Sequence, residues 1–150
     1  MNYRIETALS CFYNGFNCAQ SVFSSFHDEL NIDMDFALKL SCGFGGGMGR
    51  KQEVCGAVTG GLLVIGANYG QDTLGDKENT EDTYLKTRIL MDTVREAHGT
   101  YICRELVKDC DFLTEEGQKK FQDLDLKKNV CSECIKTVIE TVEEIIKIKN

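Results

Sequence analysis

The apolar residues of this chain recur at intervals of three and four positions, the spacing that places side chains on one face of an α-helix. Strand-like alternation never extends beyond a few residues, and the sequence contains no proline. The first helical pattern runs through Ile5, Ala8, Leu9 and Phe12 and stops near Gly15. The pattern therefore predicts an all-α protein whose first helix ends at this glycine.

Three more helices are predicted before residue 70. Asn17 is a candidate N-cap, because its short side chain can accept a hydrogen bond from a free amide of the first turn. The buried face of this second helix would consist of Ala19, Val22, Phe23, Phe26 and Leu30. Asp33 or Asp35 would begin a third helix that stops in the glycine cluster 43–49. A fourth helix would run from about Glu53 to Tyr69.

The second half of the chain continues in the same way. The polar segment 70–80 is the best loop candidate, and Thr80 is a candidate cap for a long helix that ends at Gly99. Its apolar stripe would be Leu85, Ile89, Leu90 and Val94. Shorter helices are expected around 101–107 and from Thr114, and a last one over 130–149. That last helix has a stripe made of Cys134, Ile135, Val138, Val142 and Ile145. We expect a compact bundle of five to seven helices.

Length and charge narrow the class of protein. A chain of 150 residues suits one domain, here 1–150, and 42% hydrophobic residues are typical of a soluble globular protein. A net charge of -7 lacks the basic surface of nucleic-acid binders. The N-terminus has no secretory pattern, and glycines interrupt the longest apolar run, 54–67. We expect a cytoplasmic protein without a nucleic-acid partner and without membrane insertion.

Eight cysteines are the main candidates for chemistry. In a reducing cytosol they would be metal ligands, redox thiols or small buried side chains rather than permanent disulfides. Cys18, Cys55, Cys103 and Cys131 each fall in the first turn of a predicted helix. There the free amides and the helix dipole favour negative charge, which stabilises a thiolate or an anionic thiolate–metal centre. These four are the candidate metal ligands.

Cys131 and Cys134 have the CxxC spacing, which suits either a metal or a reversible disulfide. Together with Cys55 they are the candidate catalytic residues. Cys103 and Cys110 are seven residues apart, so a continuous helix would separate their Cα atoms by about 10 Å, too far for a disulfide. The CxxC pair is therefore the local candidate for redox chemistry.

The remaining cysteines and the two histidines carry weaker signals. Cys11 and Cys42 have apolar neighbours, so we expect them in the core. His27 and His98 each stand alone, and either could join a mixed His/Cys metal site. For His98, next to Gly99 at a predicted helix end, a favourable interaction with the helix C-terminus is the better explanation.

A glycine-rich stretch, "GFGGGMGRK", begins at residue 43. It does not match a P-loop, but successive glycine amides with Arg50 and Lys51 could hold an anion, or the stretch could be a flexible turn. Gly56 and Gly60 lie on one face of the fourth helix and would admit a neighbouring helix or a bound inorganic group. The candidate cofactor-binding residues are Gly45, Gly46, Gly47, Gly49, Gly56 and Gly60.

Four segments, "YNGFNCAQSVF", "GFGGGMGRKQEVCGAVTGG", "CRELV" with "LTEEG" downstream, and "VCSECIKTV", closely resemble the C_GCAxxG_C_C family. The likeness extends from Tyr13 to the last helix and includes a CGAxxG element that begins at Cys55. The resemblance implies an all-helical domain with a redox role inferred mainly from its cysteines. The four family cysteines match Cys18, Cys55, Cys103 and Cys131.

The resemblance also implies a cofactor. A similar domain is joined to haem-binding segments in split-Soret-type cytochromes, which implies an iron–sulfur centre, whereas the lack of a CxxCH element speaks against covalent haem here. This sequence departs from the family pattern by adding Cys11, Cys42, Cys110 and Cys134.

Three hypotheses follow from these observations. The first is electron transfer through an iron–sulfur cluster held by the four family cysteines. The second is thiol–disulfide exchange, with Cys131 as attacking thiolate and Cys134 or Cys55 as resolving thiol. The third is a non-redox module with a structural four-cysteine zinc site. The electron donor or acceptor is unidentified, enzyme activity is left open, and a homodimer is a candidate assembly.

Overall fold

The computed structural model describes residues 2–149 and shows an all-α protein, as predicted. An isolated bridge between Val54 and Ile102 is the β-type pairing found among these residues. The α-helices are α1 Tyr3–Tyr13, α2 Cys18–Ser24, α3 Met34–Ser41, α4 Gly56–Tyr69, α5 Lys77–His98, α6 Cys103–Leu106, α7 Glu115–Asp123 and α8 Ser132–Lys149. A 3-10 turn, Cys42–Phe44, follows α3, and a π-helical turn, Lys127–Cys131, leads into α8.

These eight helices exceed the predicted five to seven. The individual segments named from the sequence each correspond to one of these helices, so the predicted total is too low although no single break was missed. The predicted break between 101–107 and the helix from Thr114 falls where Lys108 and Asp109 adopt left-handed φ values of 55° and 60° and end the one-turn helix α6. None of the helices within residues 2–149 combines the length and the apolar composition that a bilayer crossing requires.

Short polar side chains begin most of the helices. The caps of α1, α2, α3, α5 and α7 are Asn2, Asn17, Asp33, Asp76 and Thr114. Each accepts a hydrogen bond from an amide of the first turn, which stabilises the helix start. The prediction of Thr80 as a cap is wrong, because Asp76 and Asn79 form a capping box that begins α5 earlier.

The core is built around α4, which is apolar on all sides and packs against α2, α5 and α8. Two of its glycines allow the close contacts. A Cβ at Gly60 would lie 2.8 Å from the carbonyl oxygen of Ala19 in α2, and one at Gly61 would lie 2.7 Å from a methyl group of Val138 in α8. The predicted α8 stripe is confirmed, since Cys134, Ile135, Val138, Val142 and Ile145 are all buried.

Two predicted helices differ in extent or burial. The second helix ends at Ser24, and the residues after it, including the fully buried Phe26, form turns. In α5, Leu90 and Val94 are buried, whereas Leu85 and Ile89 are 49% and 44% exposed, because α4 and α8 cover one side of this helix. The apolar stripe of α5 is therefore only half in the core.

Candidate functional site

A cavity of about 850 Å³ lies where the starts of α2, α4, α6 and α8 meet. Five cysteines line it, and we call them the cysteine wall: Cys18, Cys55, Cys103, Cys131 and Cys134. Cys18, Cys55 and Cys103 lie at helix starts, as the sequence predicted. Cys131 does not, because it is the last residue of the π-helical turn, which runs without a break into α8. Cys134 joins them from the first turn of α8.

The bridge between Val54 and Ile102 sets Cys55 beside Cys103. On either side of the bridge, the N–H groups of Cys55 and Cys103 donate to carbonyls of the opposite segment at 2.8 and 2.6 Å. This pairing keeps 53–55 extended, so α4 begins at Gly56 rather than near Glu53 as predicted. Two helix starts are thereby fixed next to each other at the cavity.

The glycine cluster folds into a tight loop against this pair. Gly46 and Gly47 have left-handed φ values of 64° and 67°, which glycine adopts without a side-chain clash. Their carbonyls accept hydrogen bonds from residues 52 and 53 at 3.0 and 2.9 Å. A Cβ at Gly47 would come within 2.8 Å of the Cys103 Cβ. The backbone amide of Gly46 acts to lower the pKa of Cys18, against the larger effect of burial. In this structure the loop therefore supports sulfur atoms.

Gly56 makes room for the sulfur of Cys18. A Cβ at Gly56 would lie 2.5 Å from the Cys18 Sγ and 3.0 Å from the carbonyl oxygen of Phe44. Gly60, one turn later, is covered by Ala19 and Val22 of α2. The sequence left open whether a neighbouring helix or a bound inorganic group lies against this glycine face. In the structure, α2 packs against it. Gly45, Gly46, Gly49 and Gly56 line the cavity.

Asn17 holds Cys18 in place. Its Oδ1 accepts a hydrogen bond from the Gln20 amide at 2.9 Å, and its Nδ2 donates to the Cys42 carbonyl at 2.9 Å. The Asn17 side chain thus takes part in the capping box of α2 and also connects α2 to the 3-10 turn after α3. A Cβ at Gly45 would clash with this side chain, which explains the glycine there.

Gln52 is a residue that sequence reasoning missed. It is 1% exposed, and its Nε2 donates to the Cys110 carbonyl at 2.8 Å while its Oε1 accepts from the Phe112 amide at 3.0 Å. These bonds tie the glycine loop to the segment after α6. The sequence gives no signal for this role, because its partners are about 60 residues away and are backbone groups.

The five cysteines interact electrostatically, each with at least two of the others. A hydrogen bond from the Cys134 thiol is the main cause that lowers the pKa of Cys55. The amides of Ala57 and Val58 also act to lower the pKa of Cys55, although the Cys55 side chain forms no cap hydrogen bond with α4. The same hydrogen bond, with burial, raises the pKa of Cys134. Cys55 is thus the favoured thiolate of the group.

The other members of the wall favour the protonated form. Burial and the neighbouring Cys55 raise the pKa of Cys18 to about 12, and burial and Cys55 likewise raise the pKa of Cys103 to about 12. Burial and the charge of Cys18 raise the pKa of Cys131. Burying several thiolates together without a counter-charge is unfavourable, so this group holds one negative charge more easily than several.

The cysteine wall has the donor chemistry of a metal centre, with thiol sulfurs facing one cavity and backbone amides directed at two of them. Among residues 2–149, however, no set of three or more His, Cys, Asp or Glu side chains is placed to share one metal ion. A tetrahedral zinc ion needs four ligands within about 2.3 Å of a single point. A multinuclear cluster binds different thiolates through different iron atoms, so it does not require that convergence.

The other candidates lie away from the wall or at its edge. The prediction of Cys42 in the core is wrong, since it is exposed in the glycine-containing 3-10 turn and lines the cavity mouth. Cys11 is half-buried, and Cys110 is buried in a separate small cluster. His27 and His98 do not line the cavity, and the His98 Nε2 lies 2.8 Å from the Thr137 hydroxyl. All eight cysteines are free thiols.

The sequence model of the family described as "Putative redox-active protein (C_GCAxxG_C_C)" matches residues 16–145. The chain belongs to this family. The matched region of this C_GCAxxG_C_C protein contains the whole cysteine wall and the glycine loop. No curated protein and no solved structure matches it significantly.

Proposed function

We propose that this C_GCAxxG_C_C protein is an electron carrier whose redox centre is an iron–sulfur cluster bound by Cys18, Cys55, Cys103 and Cys131. The observation that carries the proposal is the meeting of five cysteines from four helix starts at one cavity. Packing alone does not require so many sulfurs at one point. The family description as redox-active supports the same conclusion.

The donor set fits such a cluster. Iron–sulfur clusters are held by four cysteine thiolates, and they store single electrons at potentials set by charge, burial and hydrogen bonds to sulfur. The amides of Gly46, Ala57 and Val58 would donate to ligand sulfurs, which stabilises negative charge on them. Gly56 keeps the start of α4 clear of Cys18, so both thiols can face the same space.

The test is chemical analysis of protein purified under anaerobic conditions. We expect iron and acid-labile sulfide in similar amounts, together with visible absorption that bleaches on reduction. Alanine substitution of Cys18 or Cys103 should remove most of the iron, whereas Cys11→Ala is the matched control and should retain it. Colourless protein without iron or sulfide after anaerobic preparation and cluster reconstitution would overturn the proposal.

A second candidate function is thiol–disulfide exchange, favoured by the hydrogen bond between Cys134 and Cys55. The Cys55 thiolate would attack a disulfide of the substrate and release one substrate thiolate, leaving a mixed disulfide. Cys134, after losing its proton, would attack the Cys55 sulfur and release the second substrate thiolate. The protein dithiol is oxidised by two electrons and the substrate disulfide is reduced by two. The pKa directions favour Cys55 over Cys131, the thiol that the sequence hypothesis named, as the attacking thiolate.

Peptide mapping distinguishes the two candidates. After oxidation of the metal-free protein with a disulfide reagent, exchange chemistry predicts a Cys55–Cys134 bond that a reducing agent reverses. If Cys55 and Cys134 remain unlinked while iron-loaded protein cycles between redox states, electron transfer stands and exchange does not.

A further inference from the structure

The cavity extends well beyond the cysteine wall. Its volume of about 850 Å³ lies within the range of roughly 300 to 1,000 Å³ that small-molecule sites occupy. Three residues of the wall are poorly accessible from outside, since Cys55 and Cys103 are 8% exposed and Cys134 is 1% exposed, whereas Cys18 and Cys131 are half-buried. A molecule that touches the three buried sulfurs must enter the cavity, which a flat protein surface cannot do.

The charges at this cavity differ from those of the whole protein. Apart from the thiols, its ionisable lining residues are Arg50, Lys127 and Asp125, so the two cations outnumber the single carboxylate. Within residues 2–149, neither Arg50 nor Lys127 forms an ion pair. The protein as a whole has a net charge of -7. Arg50 and Lys127 are therefore two cations of the lining that can each form a charge-assisted contact with an anionic group of a ligand.

Two aromatic rings hold the ammonium group of Lys127 in place. Its Nζ lies 4.7 Å from the ring centroid of Phe12 and 5.2 Å from that of Tyr13, distances that stabilise a cation over aromatic rings. The residue belongs to the π-helical turn that ends at Cys131, and it is half-buried. The ammonium group and the sulfur wall are thus parts of one local structure.

An apolar, aromatic surface completes the cavity. Phe12, Phe112 and Phe121 line it, and the last two meet edge to face with ring centroids 5.1 Å apart. Helix α7 contributes Phe121 to this aromatic surface. Aromatic rings and aliphatic side chains in a concave site favour a flat, apolar ligand body, and a few polar groups orient it.

We propose that the electron-exchange partner of this protein is a small planar organic anion, a ring system with a carboxylate or sulfonate group, that binds in this cavity. Its rings would lie against Phe112 and Phe121 and its charge would face Arg50 and Lys127. The proposal rests on the proposed redox function for the electron-exchange step, whereas the binding step is independent of it.

Binding is tested with redox-inert probes on the anaerobically purified full chain. By calorimetry, naphthalene-2-sulfonate should bind about tenfold more tightly than the neutral naphthalene-2-sulfonamide, a difference expected for one charge-assisted contact. Arg50→Gln and Lys127→Gln should each weaken binding of the sulfonate and leave the sulfonamide unchanged.

Lys51→Gln and Lys128→Gln are the matched controls. Each is next in sequence to a cavity cation, is exposed, and changes the net charge equally, but neither lines the cavity. Both should bind naphthalene-2-sulfonate like the wild type. Equal binding of the two probes, or equal losses in control and cavity variants, would overturn the proposal.

The electron-exchange step is tested by mixing reduced, desalted protein with anthraquinone-2-sulfonate, which would accept the electrons. We expect reoxidation that Arg50→Gln slows, that Lys51→Gln does not slow, and that naphthalene-2-sulfonate inhibits. A protein that no reductant can reduce would refute the proposed redox function, whatever the binding result. A reducible protein whose reoxidation is insensitive to Arg50 and to the inhibitor would refute the inference alone.

Discussion

Replacing Gly56 with alanine tests the close contact between the start of α4 and the Cys18 sulfur. The new Cβ would lie 2.5 Å from the Cys18 Sγ and 3.3 Å from the Ala19 amide nitrogen, and the first distance is far below van der Waals contact. Either the sulfur or the start of α4 must move. Overpacking of this kind costs about 1 to 3 kcal/mol, against up to about 1 kcal/mol gained from the helix propensity of alanine.

Two glycines of the same helix provide controls. A Cβ at Gly66 would meet nothing within 4 Å, so Gly66→Ala should raise the free energy of unfolding by up to about 1 kcal/mol. A Cβ at Gly60 would lie 2.8 Å from the backbone oxygen of Ala19, so Gly60→Ala should destabilise the protein without striking a sulfur. The difference between Gly56→Ala and Gly66→Ala should then be about 1 to 3 kcal/mol.

The assay combines chemical denaturation with iron analysis of anaerobically purified variants. We expect Gly56→Ala to lose both stability and iron, Gly60→Ala to lose stability with a smaller effect on iron per folded chain, and Gly66→Ala to lose neither. If Gly56→Ala is as stable as Gly66→Ala and retains its iron, the assigned role of Gly56 is refuted.

Three further predictions concern the same site. Asn17→Ala should lower the free energy of unfolding by about 1 to 2 kcal/mol in denaturant titrations, because α2 loses its cap and the Cys42 carbonyl loses a donor; a change below about 0.3 kcal/mol would contradict this role. Cys134→Ala should raise the pKa of Cys55, seen as a shift of its pH-dependent alkylation to higher pH in the metal-free protein, and an unshifted profile would refute the hydrogen bond. The metal-free, reduced protein should lose stability as pH rises from about 9 towards 12. In the unfolded chain the thiols of Cys18 and Cys103 release their protons near pH 9, whereas in the folded protein their pKa is raised to about 12, so deprotonation in this range favours the unfolded state. Unfolding free energies that stay flat across the accessible part of this range would show that these thiols are not enclosed as described.

The all-α class and the convergence of cysteines could be predicted because both leave signals within short stretches of the sequence. The α8 stripe is visible because burial on one helix face imposes a spacing of three and four residues. Asn17 is visible as a cap because short polar side chains satisfy free amides at helix starts. Four cysteines at such starts share a preference for negative charge, which made their convergence a reasonable expectation.

The rest depends on contacts between distant segments. The pairing of Val54 with Ile102 has no signature in either segment, yet it delays the start of α4 and sets two cysteines side by side. The role of Gln52 arises from its partners after α6. Cys42 has apolar neighbours in sequence, but the 3-10 turn directs it outward. A spacing rule cannot anticipate any of these.

The pKa directions within the cysteine wall also lie outside sequence reasoning. Cys18, Cys55 and Cys103 all lie at helix starts, yet among them only Cys55 has a lowered pKa, because Cys134 donates to it. For Cys18 and Cys103, burial outweighs the effect of the helix start on the pKa, and burial is also the main cause that raises the pKa of Cys131. The balance between desolvation and hydrogen bonding becomes apparent only from the packed structure.

The central claim is that the cysteine wall works as one redox centre, and an anaerobic potentiometric titration of the full chain, followed by visible absorption and paramagnetic resonance, tests it most directly. We predict a single one-electron transition that is lost when Cys103 is replaced by alanine and retained when Cys11 is replaced. A protein in which no group changes redox state in this titration, or whose transition survives the Cys103 substitution and disappears with Cys11, would contradict the account.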